Sequence, residues 1–135
     1  MTAAAAPLEG EKSLLILDDD AAFRTRLARA LEQRGFEVTA IGSVAEASEI
    51  AVKSPPAYAV LDLRLEDGSG LSVVEALSKH RADCRVVMLT GYGAIATAVA
   101  AVKAGAIDYL AKPADPEDIV KALLAAPDDR PEPPE

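Results

Sequence analysis

Polar side chains that could do chemistry follow directly on apolar segments at several points in this chain. A carboxylate that is buried and unpaired at the end of a strand is energetically costly, so its presence there needs a chemical or a structural reason. The structural interpretation is that it caps the strand end or the next turn. The residues concerned are, in chain order, Asp18, Asp19, Asp62, Thr90 and Lys112.

Taken together, these five residues favour the transfer of an anionic group. Three carboxylates that lie close together repel one another. A hard divalent cation such as magnesium (Mg²⁺), which takes oxygen ligands, relieves that repulsion. Lys112 adds a fixed positive charge and Thr90 a hydroxyl donor. A phosphoryl group suits such a site, because the metal and the lysine neutralise its oxygens while the Asp62 carboxylate attacks in line.

The sequence predicts five strands that alternate with five helices, and the strands place these residues. Each predicted strand is a short apolar run, and each helix has its apolar residues on one stripe. Strands that alternate with helices form a parallel α/β sheet, whose carboxyl ends meet at one edge, where ligands bind. Four of the five strands then deliver a polar group to that edge. The predicted strands span residues 14–17, 36–41, 58–62, 85–90 and 106–111.

The helix ends have recognisable signals. Asp20, Ser43 and Asp115 are predicted N-caps, since their side chains can accept from the free amides of a first helical turn. Gly35 and Gly105 are predicted to end helices. The third helix is predicted to run from Leu71 to about His80, and the fourth, which is rich in alanine, from 94 to 104. We interpret the arginines of the first helix as a solvated face that could also meet an acidic partner; they are Arg24, Arg26, Arg29 and Arg34.

Composition limits the class of protein. The chain has 135 residues, enough for one domain with one core, and 50% of them are hydrophobic. Its net charge of -8 argues against nucleic acid as a partner of this chain alone. The single cysteine, Cys84, is interpreted as a buried small residue in a reducing cytoplasm. No apolar stretch is long enough to span a membrane. We predict a flexible arm over 1–12, a domain over 13–126 and an acidic, proline-rich tail over 127–135.

The strand-end residues, with Tyr109 and Pro113, carry a resemblance to a known family. Over about residues 13–125 the chain resembles a bacterial response-regulator receiver domain. Within that family it is similar to the RegA/PrrA/ActR branch of global redox regulators of transcription. The segments that carry the closer likeness are 61–68, 89–103 and 108–115. The resemblance implies a flavodoxin-like (β/α)5 fold with strand order 2-1-3-4-5.

The resemblance also implies a role for each acidic residue. Asp62 would accept a phosphoryl group from a histidine of a sensor histidine kinase. Asp19, Asp62 and the backbone carbonyl of Arg64 would bind Mg²⁺ directly, and Asp18 would bind it through a water molecule. The protein would be a signalling phosphoacceptor rather than an enzyme, with only self-phosphotransfer and autodephosphorylation expected.

The remaining matched residues would form a switch. Thr90 and Lys112 would hold the phosphoryl oxygens, and Tyr109 would rotate in response to phosphorylation. The face made by the fourth helix, fifth strand and fifth helix would then change, with a homodimer as one outcome. DNA would be bound only through a C-terminal domain that this sequence lacks. The tail resembles the start of a hinge to such a domain, and the sequence is compatible with either a truncated or a stand-alone receiver or phosphorelay protein.

Three other functions agree less well with the sequence. An aspartyl-nucleophile phosphatase typically has a second acid two residues after the nucleophile, and here that position is Arg64. A flavodoxin-like cofactor binder needs a phosphate-cradling loop after the first strand, where this chain has three aspartates that repel phosphate. The chain could also be a receiver domain that is never phosphorylated, but the presence of all the matched site residues argues against this.

Overall fold

The computed structural model describes residues 11–65, 68–90, 95–111 and 114–125. These residues form a five-stranded sheet, five helices and a separate two-stranded hairpin. The strands are β1 (Ser13–Leu17), β2 (Glu37–Ile41), β3 (Tyr58–Asp62), β4 (Arg64–Leu65), β5 (Gly68–Ser69), β6 (Arg85–Thr90) and β7 (Asp108–Ala111). The helices are α1 (Ala21–Gln33), α2 (Val44–Lys53), α3 (Gly70–His80), α4 (Ile95–Ala104) and α5 (Pro116–Leu124).

The sheet has the order β2-β1-β3-β6-β7, and every neighbouring pair is parallel. Strands β4 and β5 pair only with each other, antiparallel. Counted without that hairpin, the sheet order is 2-1-3-4-5, which confirms the predicted α/β, flavodoxin-like topology. The chain turns one way from β1 to β2 and the other way from β3 to β6. The carboxyl ends of β1 and β3 therefore lie side by side at the point where ligands bind in such sheets.

The core has two layers, one on each face of the sheet. Alternate residues of β1 contribute to opposite layers: Leu15 and Leu17 belong to one, Leu14 and Ile16 to the other. The first layer is closed by buried residues of α2 and α3, and the second by those of α1 and α5. Because both faces are covered, β1 is apolar at every position from Leu14 to Leu17 rather than at every second one.

The predicted helix caps are confirmed. Asp20 accepts from the amide of Phe23, and Ser43 accepts from the amide of Glu46, both at 3.1 Å. Asp115 accepts from the amide of Glu117 at 3.2 Å, with Pro116 in the first turn of α5. The two predicted stops, Gly35 (φ 100°) and Gly105 (φ 127°), have the left-handed backbone that favours glycine.

Several boundaries differ from the prediction. The last sheet strand begins at Asp108 rather than at 106, although the Ile107 amide still donates to the carbonyl of Val86 at 2.8 Å. Helix α3 begins at Gly70, one residue earlier than predicted. The β4–β5 hairpin was not predicted, because strands of two residues leave no periodic pattern to detect.

The predicted arm and tail are described only in part. Residues 1–10 and 126–135 lie outside the described residues, so the domain limits stay predictions. Glu11, at the end of the predicted arm, makes an ion pair with Arg81 at 2.8 Å. None of the helices in the part of the chain that the structure describes has the length and apolar character of a membrane span.

Candidate functional site

Three carboxylates converge at the carboxyl edge of the sheet. Each of Asp18, Asp19 and Asp62 offers one oxygen atom, and these atoms lie within 4.8 Å of one another. The parallel register pairs Leu17 with Leu61, so the residues that follow them leave β1 and β3 side by side. Asp18 is 0% exposed and Asp62 is 6% exposed, whereas Asp19 faces solvent. The predicted convergence of the three acids is therefore confirmed.

Asp18 is held through its amide, its side chain and its carbonyl. Its amide donates to the carbonyl of Ile41, at the end of β2, at 3.1 Å. Its Oδ1 accepts from the amide of Asp20 at 2.9 Å. Its backbone carbonyl accepts from Nη1 of Arg24 at 2.6 Å. These bonds satisfy polar groups that would be costly to bury alone, and they fix the orientation of the first carboxylate.

Arg24 of α1 and Arg34, the residue that follows α1, differ from the solvated face that the sequence predicted. Arg24 is half-buried, and its guanidinium bonds to the backbone of Asp18. Arg34 makes an ion pair with Glu117 of α5 at 3.1 Å. Arg26 and Arg29 are exposed, as expected. The periodic pattern could not separate these cases, because long arginine side chains reach past the face on which their Cα atoms lie.

Asp62 is fixed by the backbone around it. It pairs in register with Leu89 of β6, and the next amide, that of Leu63, donates to the Leu89 carbonyl at 3.0 Å. A Cβ atom at Gly70 would collide with the carbonyl oxygen of Asp62 and would lie 3.2 Å from Cε of Met88. Only glycine at this position lets α3 begin directly against the Asp62 backbone. The sequence shows a glycine at this position, but it does not predict the close contact between Gly70 and the Asp62 backbone.

Thr90 and Tyr109 lie on the two neighbouring strands β6 and β7. Thr90 is 5% exposed, and its hydroxyl donates to the carbonyl of Leu110 at 3.5 Å, a long hydrogen bond. Tyr109 pairs in register with Met88 and packs, half-buried, against the core layer that contains Met88. The two predicted switch residues therefore lie on neighbouring strands, with Tyr109 two residues before Ala111, the residue that pairs with Thr90. Strand β6 also neighbours β3, the strand that carries Asp62.

Other predicted site residues are described partly or not at all. Arg64 lies in β4, two residues after Asp62, where it pairs with Ser69. Lys112 and Pro113 lie outside the described residues, as does the 91–93 turn. Strand β7 ends at Ala111, immediately before Lys112 in the chain, and Ala111 pairs with Thr90. The roles predicted for Arg64 and Lys112 stay predictions.

The donor set fits a hard divalent cation. Three carboxylate oxygens stand within 4.8 Å of one another, two from buried residues and one from an exposed residue. Oxygen donors of this kind suit Mg²⁺ or Ca²⁺, and an open, solvent-facing side suits an ion that keeps water ligands. The half-buried guanidinium of Arg24 is bonded to the backbone of Asp18, on this edge of the sheet.

The comparison with protein families identifies the class of this protein. The model for the response regulator receiver domain matches residues 14–124, nearly the whole span predicted from the sequence. The chain belongs to this family, and it is a receiver domain of a two-component response regulator.

The relatives define a narrower group. The chain is 61% identical over 128 residues to the photosynthetic apparatus regulatory protein RegA of Cereibacter sphaeroides, covering 95% of this chain and 70% of RegA. It is 62% identical over 125 residues to the acid tolerance regulatory protein ActR of Rhizobium meliloti, covering 93% of this chain and 64% of ActR. The predicted likeness to the RegA and ActR branch is confirmed.

A solved structure supports both the fold and the family. It is the crystal structure of a response regulator protein from Burkholderia pseudomallei with a phosphorylated aspartic acid, a calcium ion and citrate. It superimposes with a TM-score of 0.81 at 42% sequence identity, covering 88% of this chain and 70% of that one.

Proposed function

We propose that this receiver domain accepts a phosphoryl group on Asp62 from a phosphohistidine of a sensor histidine kinase. The observation that carries the proposal is the buried Asp62 carboxylate, which lies within 4.8 Å of those of Asp18 and Asp19 at the carboxyl edge of the sheet. The phosphorylated aspartic acid in the related Burkholderia pseudomallei structure supports the same chemistry for this chain.

In the proposed step, an Asp62 oxygen attacks phosphorus, the bond from phosphorus to the histidine nitrogen breaks, and that nitrogen keeps the electron pair. Bound Mg²⁺ supplies positive charge that neutralises the phosphoryl oxygens. Asp19, Asp62 and the carbonyl of Arg64 would hold the ion directly, and Asp18 would hold it through water. Lys112 and Thr90 would bind phosphoryl oxygens. The hydrogen bond from the Asp20 amide keeps the Asp18 carboxylate in place throughout.

We propose further that phosphorylation switches the face formed by α4, β7 and α5. The Thr90 hydroxyl is bonded only at 3.5 Å to the Leu110 carbonyl, so turning it toward a phosphoryl oxygen breaks a weak bond. Tyr109, on the adjacent strand, can then repack beside β6. Five of the ten residues of helix α4 are alanines, so moving the helix disturbs little buried apolar area. Homodimer contacts and control of transcription are assigned to this face.

Transcriptional output is proposed by likeness to RegA and ActR, of which this chain spans 70% and 64%. The net charge of the whole chain, -8, argues against direct binding of this chain to DNA. Any DNA contact is therefore assigned to a part of the relatives that this chain does not cover.

The test is the intact mass after incubation with acetyl phosphate and Mg²⁺. We expect a gain of one phosphoryl group in the unmodified chain, no gain in Asp62→Asn, and no gain when the metal is chelated. Asp118→Asn is the matched control, since it removes an exposed carboxylate from α5. A gain that persists in Asp62→Asn would refute Asp62 as the acceptor. Sustained turnover of a small phosphate ester would instead identify a phosphatase.

A further inference from the structure

We infer that Arg24 is a positioning residue for the acidic cluster and acts through the peptide group that joins Asp18 to Asp19. Its Nη1 donates to the carbonyl oxygen of Asp18 at 2.6 Å. That oxygen belongs to the peptide plane from which Asp19 begins, so the bond sets the direction in which Asp19 leaves the strand. The inference rests on the proposed function, since it concerns how metal-binding carboxylates are held.

Three hydrogen bonds hold different parts of Asp18. The bond from its amide to Ile41 fixes the end of β1 against β2. The bond from the Asp20 amide fixes the Asp18 carboxylate. The Asp20 bond also limits rotation of the peptide between Asp18 and Asp19, and the bond from Arg24 holds the carbonyl oxygen of that peptide directly. Asp18 is 0% exposed in the intact chain, and its carbonyl oxygen accepts from the guanidinium rather than from solvent.

Gly42 provides the space for this guanidinium. A Cβ atom at Gly42 would lie 2.6 Å from Nη1 of Arg24 and 3.6 Å from the carbonyl oxygen of Asp18. The backbone of Gly42 does not have a positive φ, so its conformation alone does not require glycine. The missing side chain is explained by the guanidinium that fills its place. Arg24 and Gly42 therefore form a matched pair between α1 and the turn after β2.

A substitution of Arg24 has two opposed effects on the affinity of the site for a cation. Removing the positive charge of Arg24 favours binding of a cation, whereas releasing the Asp18–Asp19 peptide disfavours it. Arg24 is half-buried, so solvent screens its charge in part. Residues that orient metal ligands commonly change affinity by about 10–100-fold when they are lost. We therefore expect the loss of carboxylate positioning to outweigh the loss of the Arg24 charge, so that removing Arg24 weakens cation binding.

The test uses Mn²⁺ as the probe, with free ion counted by electron paramagnetic resonance. We expect Arg24→Ala and Gly42→Ala each to weaken Mn²⁺ binding about tenfold or more, and Arg24→Lys to recover part of the loss. Gly42→Ala keeps the charge and displaces the guanidinium, so it isolates position from charge. Arg29→Ala, an exposed arginine on the same helix, is the control and should bind as the unmodified chain does.

A second arm reports on the metal-free protein. The carbonyl ¹³C shift of Asp18 and the amide shift of Asp19 should move in Arg24→Ala and Gly42→Ala but not in Arg29→Ala. In an Arg24→Ala background, Gly42→Ala should add little, because the space is already vacant. Cooperative urea unfolding of each variant excludes loss of fold as the cause.

The inference is overturned if Arg24→Ala binds Mn²⁺ more tightly, if Gly42→Ala binds it unchanged, or if the Asp18 carbonyl shift does not move. Failure of the unmodified chain to bind Mn²⁺ would instead refute the metal site of the proposed function. The metal-free shifts of Asp18 and Asp19 still decide the role of Arg24 in that event.

Discussion

Arg85, the first residue of β6, donates from Nε to the carbonyl oxygen of Leu123 in the last turn of α5 at 2.6 Å. Its Nη2 also donates to the carbonyl of Ala125, just past the end of that helix. The last carbonyls of a helix have no partner within the helix, and a cation there also interacts favourably with the helix dipole. Strand β6 therefore stabilises the end of α5 through Arg85, its first residue, and carries Thr90 as its last residue.

Arg85→Met should loosen the last turn of α5. The substitution removes two hydrogen bonds from a charged donor while keeping an apolar stem, so we expect about 1–3 kcal/mol less stability in urea unfolding. Amide hydrogen exchange should become faster at Ala122 and Ala125, while exchange in β1 is still unchanged. Lys121→Met, which removes an exposed cation from the same helix, is the control. Unchanged exchange at the end of α5 would contradict the capping role.

Gly70→Ala should destabilise the chain although alanine is the better helix former. Helix propensity alone favours alanine by about 1 kcal/mol. A Cβ atom at Gly70 collides with the carbonyl oxygen of Asp62, and the β3 backbone cannot yield without moving the proposed phosphoacceptor. We expect a net loss of about 1–3 kcal/mol and slower phosphorylation by acetyl phosphate. Lys79→Ala, exposed on the same helix, should change stability by less than about 0.5 kcal/mol. Equal stability of Gly70→Ala and the unmodified chain would show that α3 can shift at no cost.

Much of the fold was predictable because its signals are local. The run of Leu14 to Leu17 has no polar position, which in a short segment indicates a strand covered on both faces. Side-chain caps such as Asp20 act within three residues of themselves and can be detected without knowing the fold. Cys84 was also interpreted correctly as a buried residue, and burial raises the pKa of its thiol to about 12.

From the sequence, the site can be predicted only as a set of polar residue types at the carboxyl edge of the sheet. The rule that parallel strands share a carboxyl edge predicts that Asp18, Asp19 and Asp62 lie together. The contacts that hold them could not be predicted. Arg24 resembles any solvent-facing arginine on a helix, and Gly70 resembles any turn glycine, because their partners are backbone atoms, which leave no trace in a sequence. Such contacts depend on the distance between elements rather than on the pattern within one.

Mg²⁺ should stabilise the fold through the acidic cluster. The oxygens of three carboxylates lie within 4.8 Å of one another, and an ion that binds only the folded chain adds stability by mass action. At ten times its dissociation constant the gain is about 1.4 kcal/mol, measured as a rise in the thermal midpoint. Asp19→Asn should lose most of the gain, whereas Asp83→Asn, at an exposed site away from the cluster, should keep it. A midpoint that does not respond to millimolar Mg²⁺ in the unmodified chain would exclude the site.

Glu11 and Arg81 join the start of β1 to the loop after α3. The Glu11 oxygens accept from both terminal nitrogens of Arg81, at 2.8 and 2.9 Å, and from the hydroxyl of Ser13 at 2.6 Å. Arg81 also donates to the carbonyl of Pro55 at 3.1 Å. The bonds from Arg81, followed by that from Ser13, lower the pKa of Glu11 from 4.5 to about 2. One guanidinium thus connects three segments at the amino edge of the sheet.

This contact predicts a specific dependence of stability on pH. A carboxyl whose pKa is lowered by folding stabilises the folded state above its unfolded pKa, and that stabilisation is lost as pH falls from 4.5 toward 2. Glu11→Gln should therefore lower the urea midpoint at pH 7, and the difference from the unmodified chain should shrink below pH 4.5 and vanish near pH 2. High salt should reduce the difference at pH 7, since the pair is partly exposed. Glu37→Gln, an exposed carboxylate on β2, is the control and should show no such dependence. A ¹³C titration of the Glu11 carboxyl with a midpoint near 4.5 would contradict the prediction, because it would mean that Arg81 does not hold the charged form in solution.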